Sequence, residues 1–382
     1  MQFEFATVPR IVFGSGSASI LAAAVREYGS KVLLVRGSSP SRAAGLLKNL
    51  HAEGLNVAEF AVEEEPSVPL IREGARAAKG HDCVIGFGGG SVMDSAKAIA
   101  AVASNSGEPL DYMEVVGKGK ALESKPVPFI AIPTTAGTGA EVTRNAVITS
   151  PEHGVKASLR SPHLLARLAI VDPDFTTNLP PEITAYTGLD ALTQLIEPYT
   201  SCRANAFTDG LCIEGIRRAA NSIRTVCREP QNKPARESMS YASLLSGLAL
   251  SNAGLGAVHG FAAPLGGMLK AHHGALCASV LPHALRVNIQ AARRRSADGE
   301  LLERYGRIAQ VLTGKDDADA NDAVTWVTDL CQELAIPALG TYGLTKEQLP
   351  DLVDKASSAS SMKANGIQLF REEIMEIAER AL

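Results

Sequence analysis

At 382 residues the chain exceeds what one hydrophobic core usually organises, since single cores stop growing near ~250–300 residues, so two domains are expected. Its composition, 46% hydrophobic and 20% charged, is that of a soluble globular protein. A net charge of −4 gives no electrostatic reason to expect nucleic acid or an anionic membrane. With neither a basic-then-apolar leader nor an apolar run near ~20 residues, a cytoplasmic protein with no membrane partner is expected.

In chain order, short β-branched runs alternate with helical patterns as far as about residue 178. "KVLLVRG" (31–37) predicts a strand and "RAAGLLKNLHAEG" (42–54) a helix. "NVAEFAV" (56–62) and "VPLIREGARAAKG" (68–80) repeat the pair. "DCVIGFGGG" (82–90) and "VPFIAIPTT" (127–135) predict two further buried strands, with the helix "SVMDSAKAIAAVASN" between them. Alternation with few hairpin signals implies a parallel sheet covered by helices. From Pro180–Pro181 onwards the texture is helical, broken by turns such as "CREPQNKP" and "LAIPALGTYG". The expectation is an α/β domain over residues 1–179 and an all-α domain over 180–382. The six cysteines are scattered without a CxxC pair and are expected to be reduced, mostly buried thiols.

The strand at 82–87 runs into Gly88, Gly89 and Gly90 before a helix begins at Ser91. A backbone without Cβ atoms lets a ligand approach its N–H donors, and a helix N-terminus adds the positive end of its dipole. Such a turn suits a pyrophosphate. It is not the GxGxxG fingerprint, and a tight turn without ligand is the plain alternative. "IPTTAGTGAEVT" (132–143) also follows a strand, and two such loops at neighbouring strand ends would make a phosphate and ribose cradle.

On the helical half, "GLDALTQLIEPY" places Asp190 and Gln194 four residues apart, on one helix face. "GAVHGFAAPLGGMLKAHHGALCASVLPH" carries His259, His272, His273 and His283. One carboxylate and two imidazoles suffice for a catalytic divalent cation, although each residue alone is more often an ordinary core or hydrogen-bonding residue.

Together, "RIVFGSGS", "GFGGGSVMDSAKAIA", "AIPTTAGTGAEVT", "IVDPDFTTNLPPEITAYTGLDAL" and "VHGFAAPLGG" followed by "HHG" resemble the iron-containing (group III) alcohol dehydrogenase family, related to glycerol dehydrogenase and more distantly to dehydroquinate synthase. The resemblance spans essentially the whole chain. It implies an N-terminal dinucleotide-binding domain, a C-terminal helical domain, and a cleft holding nicotinamide and a metal. Gly88, Gly89, Gly90 and Ser91 would hold the pyrophosphate, and Thr134, Thr135 and Thr138 the adenosine and ribose side. Asp94, Val147 and Lys156 would lie near the cofactor, with Asp94 facing the nicotinamide end and Lys97 merely solvated.

The family metal is held by one aspartate and three histidines. Asp190, His259 and His273 match three of them, His273 rather than His272 because the last family ligand directly precedes a glycine. Gln194 stands where the first histidine would be; its carbonyl oxygen would complete the site or leave a water there, loosening the metal, iron or zinc. Ala263 replaces a histidine often credited with proton relay, which leaves His272 or bound water as the candidate.

Relatives that prefer NAD carry an aspartate after the second strand. Here Gly37 stands there, followed by Ser38 and Ser39, with Arg36 and Arg42 nearby, so the cofactor NAD(P) leans towards NADP. The expected activity is hydride transfer between NAD(P)H and a small aldehyde or ketone, with the metal as Lewis acid. Family habit implies a homodimer or larger homo-oligomer. The alternatives are a metal-independent reductase resembling maleylacetate reductase, motivated by Gln194, Arg144 and Arg160, a lyase resembling dehydroquinate synthase, and a binding protein with decayed catalysis.

Overall fold

The computed structural model describes residues 2–296 and 299–382. The chain forms two compact units. One comprises Ala6–Thr135 and Gly139–Thr176; the other comprises the N-terminal residues up to Phe5, Ala136–Thr138 and Thr177–Leu382.

The first unit is built on β1 (Ile11–Phe13), α1 (Leu21–Arg26), β2 (Lys31–Gly37), α2 (Pro40–Ala52), β3 (Asn56–Val62), α3 (Val68–Ala78), β4 (Cys83–Gly88), α4 (Gly90–Ala103), α5 (Pro109–Tyr112), β5 (Phe129–Pro133), β6 (Asn145–Ser150), β7 (Val155–Arg160) and β8 (Leu168–Val171). Six strands form one sheet in the order β1-β8-β5-β4-β2-β3, with every pairing parallel. β4 and β5 are buried along their whole length, as the continuous apolar runs "CVIGFG" and "FIAIP" require of strands covered on both faces. The chain leaves β2 for β3 on one side and β4 for β5 on the other. The carboxyl ends of β2 and β4 are therefore a topological switch point, where open α/β sheets bind ligands.

The glycines after β4 serve packing first. A Cβ on Gly88 would sit 2.4 Å from Val92, and one on Gly89 would sit 3.2 Å from Thr135. Gly89 has φ −80° and ψ −169°, an ordinary extended geometry. Bare backbone thus lets the first turn of α4 and the end of β5 close on the tip of β4. β6 and β7 form an antiparallel ribbon apart from the sheet, which the alternating pattern does not announce.

The second unit is helical: α6 (Pro181–Thr200), α7 (Ala206–Arg228), α8 (Lys233–Ala253), α9 (Ala257–Met268), α10 (His273–Arg295), α11 (Glu300–Thr313), α12 (Ala320–Glu333), α13 (Leu349–Ser358) and α14 (Arg371–Ala381). α6 is buried continuously from Thr184 to Thr200 and packs against α7, α8 and α10. Its buried threonines donate to carbonyls one turn back, Thr193 to Leu189 at 2.7 Å and Thr200 to Ile196 at 3.0 Å, which lets a polar sequence run through a core. Among the described residues no single helix is long and apolar enough to cross a membrane.

Candidate metal centre and nucleotide cradle

α6, α9 and α10 each bring part of one polar cluster into the helical unit. α6 supplies Asp190, 1% exposed, and α9 supplies His259 from its first turn. α10 begins at His273 and adds Cys277 one turn later on the same face. Gly274 makes this approach possible: a Cβ there would lie 2.4 Å from the carbonyl oxygen of Tyr186 on α6.

The ligand-type atoms of Asp190, His259, His273 and Cys277 all lie within 4.8 Å of one another. His259 Nε2 is 3.4 Å and His273 Nε2 3.8 Å from Asp190 Oδ1. Cys277 Sγ is 3.8 Å from His259 Nε2 and 3.6 Å from His273 Nε2. Asp190 Oδ1 is fully buried and has no hydrogen-bond partner. A buried, orphaned carboxylate oxygen facing two imidazole nitrogens and a sulfur is costly without a cation, so these residues fit the metal that the family implies.

Burial alone would raise the Asp190 carboxyl, but His259 and His273 outweigh it and hold it below the usual carboxylate range. Burial opposes a charge on His259, yet Cys277, Glu197 and Asp190 lift it well above the ordinary imidazole value. Cys277 chiefly, with Asp190, raises His273 to about 9. The negative groups of the cluster thus favour positive charge at the two rings.

Glu197, one turn beyond Gln194 on α6, orients the centre. Its Oε2 lies 2.6 Å from His259 Nδ1, and its Oε1 accepts from the Val258 backbone N–H at 2.6 Å. An ionised carboxylate only accepts, so Nδ1 carries the proton and Nε2 turns its lone pair to the cluster. Gly256 leaves room for this, because a Cβ there would be 3.0 Å from Glu197 Oε1.

Gln194 is hydrogen-bonded at both ends of its amide. Its Nε2 donates to Asp190 Oδ2 at 2.8 Å, and its Oε1 accepts from Ser246 Oγ at 3.0 Å. The carboxylate accepts only, so the amide must present its nitrogen, and the carbonyl oxygen points to Ser246 instead of the cluster. Gln194 thus holds Asp190 in place through its amide nitrogen. His272 caps α10, its Nδ1 accepting from the Gly274 N–H at 3.2 Å. It is exposed, as is Ala263 on α9.

In the α/β unit the expected cofactor residues gather at neighbouring strand ends. Gly37 ends β2 and Ser38 and Ser39 follow it, Gly88 ends β4 with Gly90 and Ser91 opening α4, and Thr134 and Thr135 follow β5, with Thr134 N donating to Gly88 O at 2.9 Å. No side chain caps α4, which leaves its first-turn N–H groups to a ligand. Thr138 groups with the helical unit.

Lys97 is not solvated. It is 1% exposed, and its Nζ donates to Asp94 Oδ1 at 3.0 Å, Thr143 Oγ1 at 2.8 Å and Asn145 O at 2.7 Å. The other oxygen of Asp94 accepts from the Val147 N–H at 2.9 Å. One oxygen of Asp94 is thus spent on Lys97 of the same helix and the other on joining α4 to β6. Lys156 is ion-paired with Glu65, and the Val147 side chain is 38% exposed.

The family sequence model for iron-containing alcohol dehydrogenases matches residues 9–173, and that for the family's C-terminal region matches residues 184–382. The chain belongs to the iron-containing alcohol dehydrogenase family. It is 34% identical to the choline dehydrogenase of Bacillus subtilis (strain 168) over 362 residues, 93% of this chain and 87% of that one. The crystal structure of a 1,3-propanediol oxidoreductase superposes with a TM-score of 0.92 at 31% identity, covering 100% of both chains. Sulfoacetaldehyde reductase from Bifidobacterium kashiwanohense, solved in complex with NAD+, gives 0.88 at 28% identity, over 99% of this chain and 98% of that one.

This dehydrogenase is a metal-dependent oxidoreductase of the alcohol dehydrogenase type. Neither the lyase nor the metal-independent reductase is favoured, and Arg160, which motivated the latter, is ion-paired with Glu114 at 3.2 Å. Sequence alone does not single out two residues of the centre, Glu197 and Cys277. Glu197 lies seven residues after Asp190 and Cys277 four after His273, spacings that put each on its partner's helix face.

Proposed function

We propose that Asp190, His259 and His273 hold the catalytic divalent cation, iron or zinc, and that the α/β unit holds NAD(P) over the ends of β2, β4 and β5. The substrate is a small aldehyde or ketone, reduced to the alcohol or formed from it. The orphaned Asp190 Oδ1, buried between two imidazole nitrogens, carries the reading. When bound, the cation supplies Lewis-acid polarisation of the substrate oxygen and the nicotinamide supplies or takes the hydride. Asp190 contributes negative charge, Gln194 and Glu197 fix the first two ligands, and the α4 N-terminus binds diphosphate. His272, exposed beside His273, is the candidate for exchanging the substrate proton with solvent. A homodimeric, cytoplasmic enzyme is the assembly this reading carries. Turnover on a panel of small aldehydes, abolished by a chelator and restored by a divalent cation, tests it; full activity in protein free of metal overturns it.

Cation uptake is linked to protons. A metal binds neutral imidazole, whereas His273 stays protonated below about 9 in the metal-free protein. Apparent cation affinity should therefore rise with pH up to about 9, by roughly tenfold per unit for each proton released. Competition titrations against a chelator of known affinity measure the slope, and a flat profile contradicts the linkage.

The cofactor preference is for NADP, but modest. Gly37 removes a carboxylate that would repel a 2′-phosphate, and Ser38 and Ser39 add hydroxyl donors. Arg36, however, is ion-paired with Glu59 and donates to Gly37 O at 3.0 Å, while Arg42 donates to Phe175 O at 3.3 Å. Glu59→Gln should release Arg36 and strengthen NADPH binding about two- to fivefold, the scale of one exposed ion pair, with NADH little changed. Apparent affinities for both cofactors decide it; a clear preference of the unaltered enzyme for NADH ends the NADP reading.

A further inference from the structure

We propose that Cys277 is the fourth protein ligand of the cation, bound as a thiolate, in place of the imidazole that Gln194 does not supply. The inference rests on the metal reading of Asp190, His259 and His273 given above.

The first support is size. Tetrahedral coordination with bonds of ~2.05 Å to nitrogen or oxygen separates two such donors by ~3.3 Å, and a sulfur at ~2.3 Å lies ~3.6 Å from each of them. The imidazole-to-carboxylate distances are 3.4 and 3.8 Å, and the sulfur-to-imidazole distances are 3.8 and 3.6 Å. Four of the six edges of a coordination tetrahedron thus lie within about half an ångström of these lengths, and the remaining two pairs of atoms lie within 4.8 Å of each other.

The second support is the fate of the sulfur. Cys83 and Cys331, also buried, direct their thiols to backbone carbonyls, those of Val84 and Ala278, each at 3.6 Å. The contacts of Cys277 Sγ are instead the Nε2 atoms of His259 and His273. In the neutral ring that a cation requires, the one proton of His259 is fixed on Nδ1 by Glu197, so its Nε2 turns a lone pair, not a donor, towards the same point as the sulfur.

Charge is the third. Two neutral imidazoles, one carboxylate and one thiolate carry two negative charges, which a divalent cation cancels in a buried site; with Asp190 alone a net positive charge would remain. On binding, the S–H bond of Cys277 breaks, its proton passes to water, and the sulfur lone pair forms the bond to the cation, with no change of oxidation state. Four protein donors still admit a substrate, since zinc in catalytic sites expands to five-coordinate. A sulfur donor also shifts selectivity from iron towards zinc.

Cobalt(II) tests this without reference to turnover. The full-length protein, stripped and reloaded with cobalt, should have the visible bands of a tetrahedral ion together with a near-ultraviolet thiolate-to-cobalt charge-transfer band. Cys277→Ser should retain cobalt but lose that band. Zinc-loaded unaltered protein should have one sulfur neighbour at ~2.3 Å by X-ray absorption, a measurement independent of whether the variant folds. Bound cobalt without the charge-transfer band, a band that survives Cys277→Ser, or zinc without a sulfur neighbour overturns the role of Cys277 and leaves the three-residue site standing. Protein that retains neither cobalt nor zinc overturns both readings.

Discussion

Asp190→Asn should lose tight cation binding and lower kcat/KM by ~10²–10³-fold, the few kcal/mol that a metal supplies as Lewis acid. The substitution is nearly isosteric, so its effect comes from hydrogen-bond chemistry. Asp190 Oδ2 accepts from Gln194 Nε2 at 2.8 Å, and Gln194 Oε1 is in turn held by Ser246. An asparagine must therefore keep its carbonyl oxygen towards Gln194 and present its NH2 where Oδ1 stood. A donor group then faces the two imidazole nitrogens, and the cluster's carboxylate charge is gone. Metal content after dialysis against a chelator, measured with kcat/KM, checks both halves. An Asp190→Asn variant that keeps its cation and its rate would show that Asp190 is a structural carboxylate only.

The same chain of contacts explains how much of the centre is readable from sequence. Asp190, His259 and His273 stand out because their short motifs resemble those of a family, and the helix spacing places them plausibly. The orientation of Gln194 is not readable there, because sequence gives the side chain but not which of its two ends faces the carboxylate. That choice depends on Ser246, 52 residues further on. Cys277 looks like the five other scattered cysteines, since burial is the ordinary fate of a thiol and nothing local separates it from Cys331. Only its four-residue offset from His273 marks it.

The sheet is the most legible part. β2, β4 and β5 lie within the runs that predict strands, because strands covered on both faces leave continuous apolar signatures. The β6–β7 ribbon is not legible in the same way, its turn at Pro151–Gly154 being a hairpin signal inside a stretch that otherwise reads as α/β. Composition alone predicts a solvated Lys97. A lysine on a helix is usually exposed, and its burial here depends on three oxygens from residues 94, 143 and 145.

Glu197→Gln should weaken cation affinity ~10–100-fold, the usual cost of removing the carboxylate behind a ligating histidine. The carboxylate serves two donors at once, Val258 N–H through Oε1 and His259 Nδ1–H through Oε2. A glutamine has one acceptor and must fail one of them. If its oxygen stays with Val258, its NH2 faces Nδ1. The His259 proton then moves to Nε2, the nitrogen that faces Asp190, and the ring can no longer bind a metal there. If its oxygen turns to His259, the Val258 N–H at the start of α9 meets another donor and is left unsatisfied in a buried site, at ~1–3 kcal/mol. Both outcomes lower activity, but they separate experimentally. The first leaves a stable protein whose kcat recovers in excess cation as the ring is forced back to its other tautomer. The second lowers Tm and recovers little. Unchanged metal affinity together with unchanged Tm would mean that Glu197 neither orients His259 nor caps α9.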